Sequence, residues 1–138
     1  MNSYSIIPFQ RIETDHICCS LRINKQHGFF LIDTGASNSC IAKIKQEHYQ
    51  LVAQEEPTEA AGAGAEKLEA QKMKKAFWQD SKGTPLGAFP VMLLDLESIN
   101  NTLAKQGAPG IDGIIGADLL TEMKALIDYD KMELRLQV

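Results

Sequence analysis

The run Phe29-Phe30-Leu31-Ile32-Asp33-Thr34-Gly35 places a carboxylate where an apolar segment stops. Four apolar residues are too few for a helix and suit a buried strand. An acid at the edge of such a strand is costly unless hydrogen-bond donors meet it. Gly35 can adopt backbone angles closed to other residues, and without a side chain it lets backbone N–H groups turn toward the carboxylate. Thr34 adds a donor and an acceptor that can lock the loop. The pattern asks for a fold in which a rigid strand end holds an acid still. Taken alone, Asp-Thr-Gly is also what an ordinary capped turn looks like, so the remainder of the chain has to decide.

The surroundings read as short strands. Ser3 to Phe9 and His16 to Asn24 carry Ile6, Ile7, Ile17, Leu21 and Ile23, and Lys25-Gln26-His27-Gly28 signals a turn, so a hairpin delivers its second strand to Asp33. Ser39 to Lys43 reads as a further strand and Ile44 to Leu51 as irregular or helical. Gln54 to Met73 is polar and alanine-rich and is expected to be the mobile part. A hairpin there runs against the helical preference of alanine and glutamate. Lys75 to Gln79 and Phe89 to Leu96 read as strands around a Gly-Pro-rich turn from Ser81 to Gly87. Ser98 to Gln106 predicts a short helix with Ile99 and Leu103 on one face and Gly107 as its stop. Ile111 to Gly116 predicts a strand, Ala117 to Lys124 a second helix, and Ala125 to Asp128 with Met132 to Val138 two closing strands. Many short strands with two brief helices make a mainly β domain.

At 138 residues and 44% hydrophobic content the chain fits one domain, 1–138, able to bury a core without staples. The net charge of −4 is scattered with no basic block, which argues against a nucleic-acid partner. Cys18, Cys19 and Cys40 are odd in number and do not look like a disulfide framework, so a reducing compartment is expected. Strand alternation sends Cys18 and Cys19 to opposite faces, and a zinc site built from the cysteines and His16 lacks a second ligand pair. Cys40 and His48 make a weak nucleophile and base, since Cys40 reads as a buried structural residue. Gly62-Ala63-Gly64-Ala65-Glu66-Lys67 fails the phosphate-loop pattern. Phe77 and Trp78 read as core aromatics before pocket aromatics. No run approaches a membrane helix and the N-terminus lacks a basic start followed by an apolar stretch. The expectation is a cytoplasmic protein with no membrane partner, or a periplasmic or secreted one if a leader has been removed.

The second informative element is Gly110-Ile111-Asp112-Gly113-Ile114-Ile115-Gly116, two bulky aliphatics directly before a glycine and just ahead of a helix. With it, the chain resembles a known family. Asp33-Thr34-Gly35-Ala36-Ser37 is similar to the active-site signature of aspartic peptidases, and Ile114-Ile115-Gly116 to the hydrophobic-hydrophobic-glycine element that in this family packs beneath the catalytic loop. The tail Ala117-Asp118-Leu119-Leu120 and Ala125-Leu126-Ile127-Asp128-Tyr129 agrees, and the resemblance runs from about Ile17 to Leu136. The form it matches is the single-domain, retroviral-protease-like (retropepsin-like) group, bacterial members included.

That resemblance implies a closed, barrel-like half of an aspartic protease with one or two short helices, acting as a homodimer. It implies peptide-bond hydrolysis by a water held between two aspartates that share a proton, with no metal and no organic cofactor, on a peptide or protein substrate. None of Asp80, Asp95, Asp112, Asp118, Asp128 and Asp130 is followed by Thr-Gly or Ser-Gly, so the second acid must come from a twofold-related copy. By resemblance, Thr34 hydrogen-bonds across the twofold and the Gly35 N–H supports the carboxylate pair. Ala36 matches the retroviral form where two-lobed pepsin-like enzymes carry a hydroxyl residue, which implies activity extending to less acidic pH. The flap that covers substrate falls on Thr58 to Gln71, with Gly62, Ala63 and Gly64 at its tip, although the stretch lacks a bulky apolar tip. The alternative is a catalytically weak or inactive dimerisation or peptide-binding module on the same fold.

Overall fold

The computed structural model describes residues 3–54, 58–61 and 67–138, with the backbone alone for 58–61 and 67–69. The hairpin that leads to Asp33 is made by β2 (Ile17–Ile23) and β3 (Gln26–Ile32). Its turn lies earlier than the sequence implies. Asn24 and Lys25 are both left-handed, at φ 49° and 72°, the geometry a two-residue hairpin loop needs to match strand twist. Gln26, His27 and Gly28 already pair with Ile23, Arg22 and Leu21. Gly28 is therefore a strand residue. A Cβ there would run into the Tyr49 hydroxyl and the Phe30 ring.

The other strands are β1 (Tyr4–Arg11), β4 (Cys40–Ala42), β5 (Thr58–Ala61), β6 (Lys67–Lys72), β7 (Ala76–Asp80), β8 (Pro85–Phe89), β9 (Met92–Leu94), β10 (Gly113–Ile115), β11 (Leu126–Asp128) and β12 (Glu133–Gln137). Two short helices join them, α1 (Glu97–Lys105) and α2 (Ala117–Glu122), so the fold is mainly β. The stretch expected as one strand from Phe89 to Leu96 is broken at Pro90, which has no N–H for a ladder. Gly107, at φ 75°, stops α1 as expected.

Hydrogen bonds order the strands β11-β12-β1-β2-β3-β10-β4-β9-β6-β5, and β7 branches from β2 and carries β8. This corrects the closed barrel. Among the described residues β11 and β5, the ends of the path, do not pair with one another, so the sheet stays open. The arrangement bends because β1 changes partner: Tyr4–Pro8 pair with β12 and Phe9–Arg11 with β2. Pro8, which cannot donate, marks the change.

Both faces of the β2–β3 hairpin are covered. Cys19, Leu21, Ile23, Phe30 and Ile32 enter the larger core with Trp78, Tyr49, Ile115 and Leu119. Cys18 and Leu31 enter a smaller one beneath α1 with Cys40, Leu96, Leu103 and Ile111. Cys18 and Cys19 thus do face opposite ways, and both are buried free thiols. Of the aromatic pair, Trp78 is fully buried while Phe77 stays exposed.

Buried Asp80 ties the start of β1 to the β7–β8 turn, accepting from Ser5 Oγ at 2.8 Å and from the N–H groups of Thr84 and Lys82 at 2.8 and 2.9 Å. Burial alone raises its carboxyl, but these hydrogen bonds outweigh it and hold the pKa below the ordinary carboxylate value. A pKa lowered by folding contributes stability above the unfolded value near about 3.9, and that stability is lost as pH falls through the folded value. Asp80→Ala should therefore cost about 2 kcal/mol at neutral pH. Urea unfolding checks this, and the gap from wild type should narrow as the buffer is taken from about pH 5 toward about pH 2.

Candidate active site

The site is built where β3 stops. β10 lies parallel to β3, pairing Ile114 with Leu31 and Ile115 with Ile32. The ladder runs one residue further, because the Asp33 N–H donates to the Ile115 carbonyl at 2.9 Å. The chain then turns sharply. The Ala36 N–H returns to the Asp33 carbonyl at 3.2 Å, and the Gly35 N–H donates to Asp33 Oδ1 at 2.9 Å. Asp33 is half-buried and Thr34 and Gly35 are exposed. Among the described residues no hydrogen bond reaches Asp33 Oδ2. One oxygen is held and the other left available.

The far side of the loop is seated on Gly116. A Cβ at that position would collide with the Ala36 carbonyl oxygen and with the backbone of Asn38. The Ala36 carbonyl accepts from the Ala117 N–H at 2.7 Å, which fastens the loop to the first residue of α2. Ile115 is buried in the larger core, whereas Ile114 points the other way and lines a cavity shared with Asp33. Asp33, Thr34, Gly35, Ala36, Ile114, Ile115 and Gly116 therefore meet in one place. Gly62, Ala63 and Gly64 lie outside the described residues. The strands flanking them pair as a hairpin, Thr58 with Ala70 through Ala61 with Lys67, and β6 docks on β9.

Two residues to which the sequence reading gives no role at the site clamp the loop from below. Ser39 is fully buried. Its Oγ accepts from the Gly116 N–H at 2.8 Å and donates to Asp118 Oδ1 at 2.7 Å. The Asp118 carboxylate also takes the N–H groups of Ser39 and Leu119, at 2.9 and 2.8 Å. Asp118 sits in the first turn of α2, where an acid is favoured; that position and its place in the tail after Gly116 are the signals the sequence carries.

Other candidates separate from this centre. Asp112 is occupied: it accepts from the Phe29 N–H at 3.1 Å and from the Tyr49 hydroxyl at 2.9 Å, and Lys45 lies 3.8 Å away. Burial pushes the Cys40 thiol up to about 11, so little thiolate exists at neutral pH and it is no nucleophile. Burial does the same to Cys18 and Cys19, at about 11 and about 12. Among the described residues lining the cavity beside Asp33 there is no second acid. What remains is one positioned carboxylate with a free oxygen, suited to moving a proton.

A profile of the aspartyl protease family matches residues 19–119. No curated protein matches the chain. Among solved structures it is similar to a retropepsin-like aspartic protease from Rickettsia conorii, at 19% identity and TM-score 0.58, covering 99% of this chain and 92% of that one. It is also similar to the retroviral protease-like domain of Ddi1 from Leishmania major, at 18% identity and TM-score 0.58, covering 83% and 82%. The EIAV protease complexed with the inhibitor HBY-793 matches at 16% identity and TM-score 0.55, covering 82% and 92%. At these identities the likeness is one of fold, and the retropepsin-like fold is shown.

Removing the Ser39 hydroxyl leaves a buried N–H and a carboxylate short of a partner. Ser39→Ala should lower stability by about 2 kcal/mol, read from thermal melting. Ser37→Ala, at an exposed position of the same loop, should change it by less than about 0.5 kcal/mol.

Proposed function

Because the chain belongs to the aspartyl protease family, we propose that it is an aspartic endopeptidase whose catalytic pair is Asp33 and the same residue of a second subunit. One observation carries this reading. Asp33 is half-buried, with one oxygen fixed by the Gly35 N–H, and the chain has no second Asp-Thr-Gly or Asp-Ser-Gly.

The chemistry follows from like charge. Two adjacent carboxylates do not both ionise, so the pair holds one proton and titrates as a unit. The ionised member takes a proton from water as its oxygen bonds to the peptide carbonyl carbon, while the protonated member gives its proton to the carbonyl oxygen. The tetrahedral diol collapses by breaking the C–N bond: the aspartate that took the water proton gives it to the leaving nitrogen, the ionised aspartate takes a proton from a diol hydroxyl as the carbonyl re-forms, and the pair again holds one proton. Gly35 keeps the Asp33 carboxylate from rotating, and pre-set orientation is much of what such a site contributes. Thr34, exposed on the loop, is placed in this reading against the partner loop. The β5–β6 hairpin is the element that covers the peptide.

Asp33→Asn should lower hydrolysis of a mixed peptide library by at least about a hundredfold, and a transition-state-mimicking aspartic peptidase inhibitor should block the wild type. Adding excess Asp33→Asn chain to wild type should suppress activity further, because mixed dimers hold one acid. Full activity in that mixture, or an active species that sediments as a monomer, contradicts the shared site. A library left intact from about pH 3 to about pH 8 favours the inactive binding module.

A further inference from the structure

One stretch of backbone is left without a partner where a cavity opens beside it. β3 covers one edge of β2, and the other edge is divided: β1 holds Ile17 to Cys19 and β7 holds Leu21 to Ile23. β1 and β7 part at Ser20, whose carbonyl is met instead by the Ser81 hydroxyl at 3.0 Å. Beyond that point β1 runs on with β12 alone. The Phe9 N–H donates to the Met132 carbonyl at 3.0 Å, and the Val138 N–H to the Ser3 carbonyl at 2.9 Å. Alternate residues of a strand turn their backbone groups to opposite edges, so Ser5 and Ile7 face β12 while Tyr4, Ile6 and Pro8 face away from it. Among the described residues no strand pairs with that outward edge between Tyr4 and Pro8. Pro8 has no N–H to offer, but Tyr4 and Ile6 present both donor and acceptor, and Ile6 is 51% exposed. Along this edge lies a cavity of about 380 Å³, whose lining includes Ile6, Pro8, Cys19, Ser20 and Phe29 and shares no residue with the cavity at Asp33.

We propose that this notch docks an extended segment of another protein, which adds to β1 as a strand, seats an aliphatic side chain in the cavity and turns an acidic residue toward Lys82 and Arg22. Strand addition needs unpaired main-chain groups for affinity and a pocket beside them for selection, and both are present. A helix cannot serve Tyr4 and Ile6, because its own backbone groups are spent internally. An aliphatic side chain gains burial against Ile6 and Phe29. Charge selects further. Lys82 is the single cation among the described residues lining the cavity. Arg22 reaches the same β7–β8 turn, donating to the Ser81 carbonyl at 2.9 Å and to the His27 ring at 3.2 Å, with no carboxylate hydrogen-bonded to it among the described residues. Asp80, the one acid in the lining, is already taken by Ser5, Lys82 and Thr84. A second copy of the same strand is a poor occupant, since Tyr4–Arg11 contains no acid and ends in arginine.

The test titrates the peptide Ac-Ser-Thr-Ile-Thr-Glu-Asp-Ser-NH2 into the full chain carrying Asp33→Asn, which keeps the peptide uncut, and follows amide hydrogen exchange by NMR. Binding should saturate with Kd below about 1 mM. Near saturation the Tyr4 and Ile6 amides should exchange about tenfold more slowly, while Ser5 and Ile7, already paired with β12, stay unchanged. Of two N-methylated peptides, one blocked on alternate amides and the other on the intervening ones, one should lose binding and the other keep it. Lys82→Glu should weaken the acidic peptide about fivefold and favour a version with lysines in place of its two acids. Ser20→Trp, which fills the cavity from an exposed position, should abolish binding; melting verifies that both variants fold. Absence of saturation at about 1 mM overturns the inference. So does equal binding of the two methylated peptides, or equal binding of the acidic and basic versions to the Lys82 chain. Slowing of Tyr4 and Ile6 by protein concentration alone overturns it in favour of a second copy. None of these outcomes depends on hydrolysis, so the docking site and the peptidase reading stand or fall separately.

Discussion

The parallel pairing of β3 with β10 is the constraint on which the site depends. Its register sets Ile115 opposite Ile32, so that the Asp33 N–H reaches the Ile115 carbonyl one step beyond the strand. A slip of one residue would turn every side chain of β10 to the other face. Ile115 would leave the larger core and Ile114 would leave the cavity. The glycines at either end of Gly113-Ile114-Ile115-Gly116 make the register possible. A Cβ on Gly113 would strike the Cys40 carbonyl oxygen, and one on Gly116 the Ala36 carbonyl oxygen. The motif is a strand whose ends permit close backbone approach and whose middle residues serve opposite faces.

The loop that carries the acid is held by hydrogen bonds of long sequence separation. Ser39 and Asp118 are 79 residues apart, yet between them they occupy the Gly116 N–H, the Ser39 N–H and the Leu119 N–H. Buried polar groups strengthen a fold when each has its partner and weaken it when one is missing. With every member paired, the network joins the end of the Asp33 loop to the start of α2. Asp33 itself can then be left with a free oxygen, because its position is enforced from the backbone and from below.

How much of this was legible follows from where each signal resides. The Asp33 loop and Ile114-Ile115-Gly116 were readable because both are compact local patterns. The alternation of Cys18 and Cys19 was readable because strand periodicity dictates it. The hairpin turn was misplaced because Gly28 looks like turn punctuation, whereas its cause is the Tyr49 hydroxyl, distant in sequence. The pairing of Ser39 with Asp118 is hidden for the same reason: a serine and an acid 79 residues apart gain meaning only once β10 brings them together. The open sheet was likewise beyond local reading, since closure is decided by which strand ends find partners. The β5–β6 hairpin shows tertiary pairing with β9 overriding an alanine-rich helical preference.

The proposed sharing of the acid pair between two subunits also makes physical sense for stability. Two ionised carboxylates held together within one chain would repel in the folded state and be released on unfolding, taxing stability at neutral pH. If each subunit supplies one, that repulsion arises only at association, and the proton the pair then shares is the one the chemistry uses. On the shared-site reading, the monomer keeps Asp33 half-buried with a single N–H donor, an arrangement that leaves its stability unburdened and that association would complete.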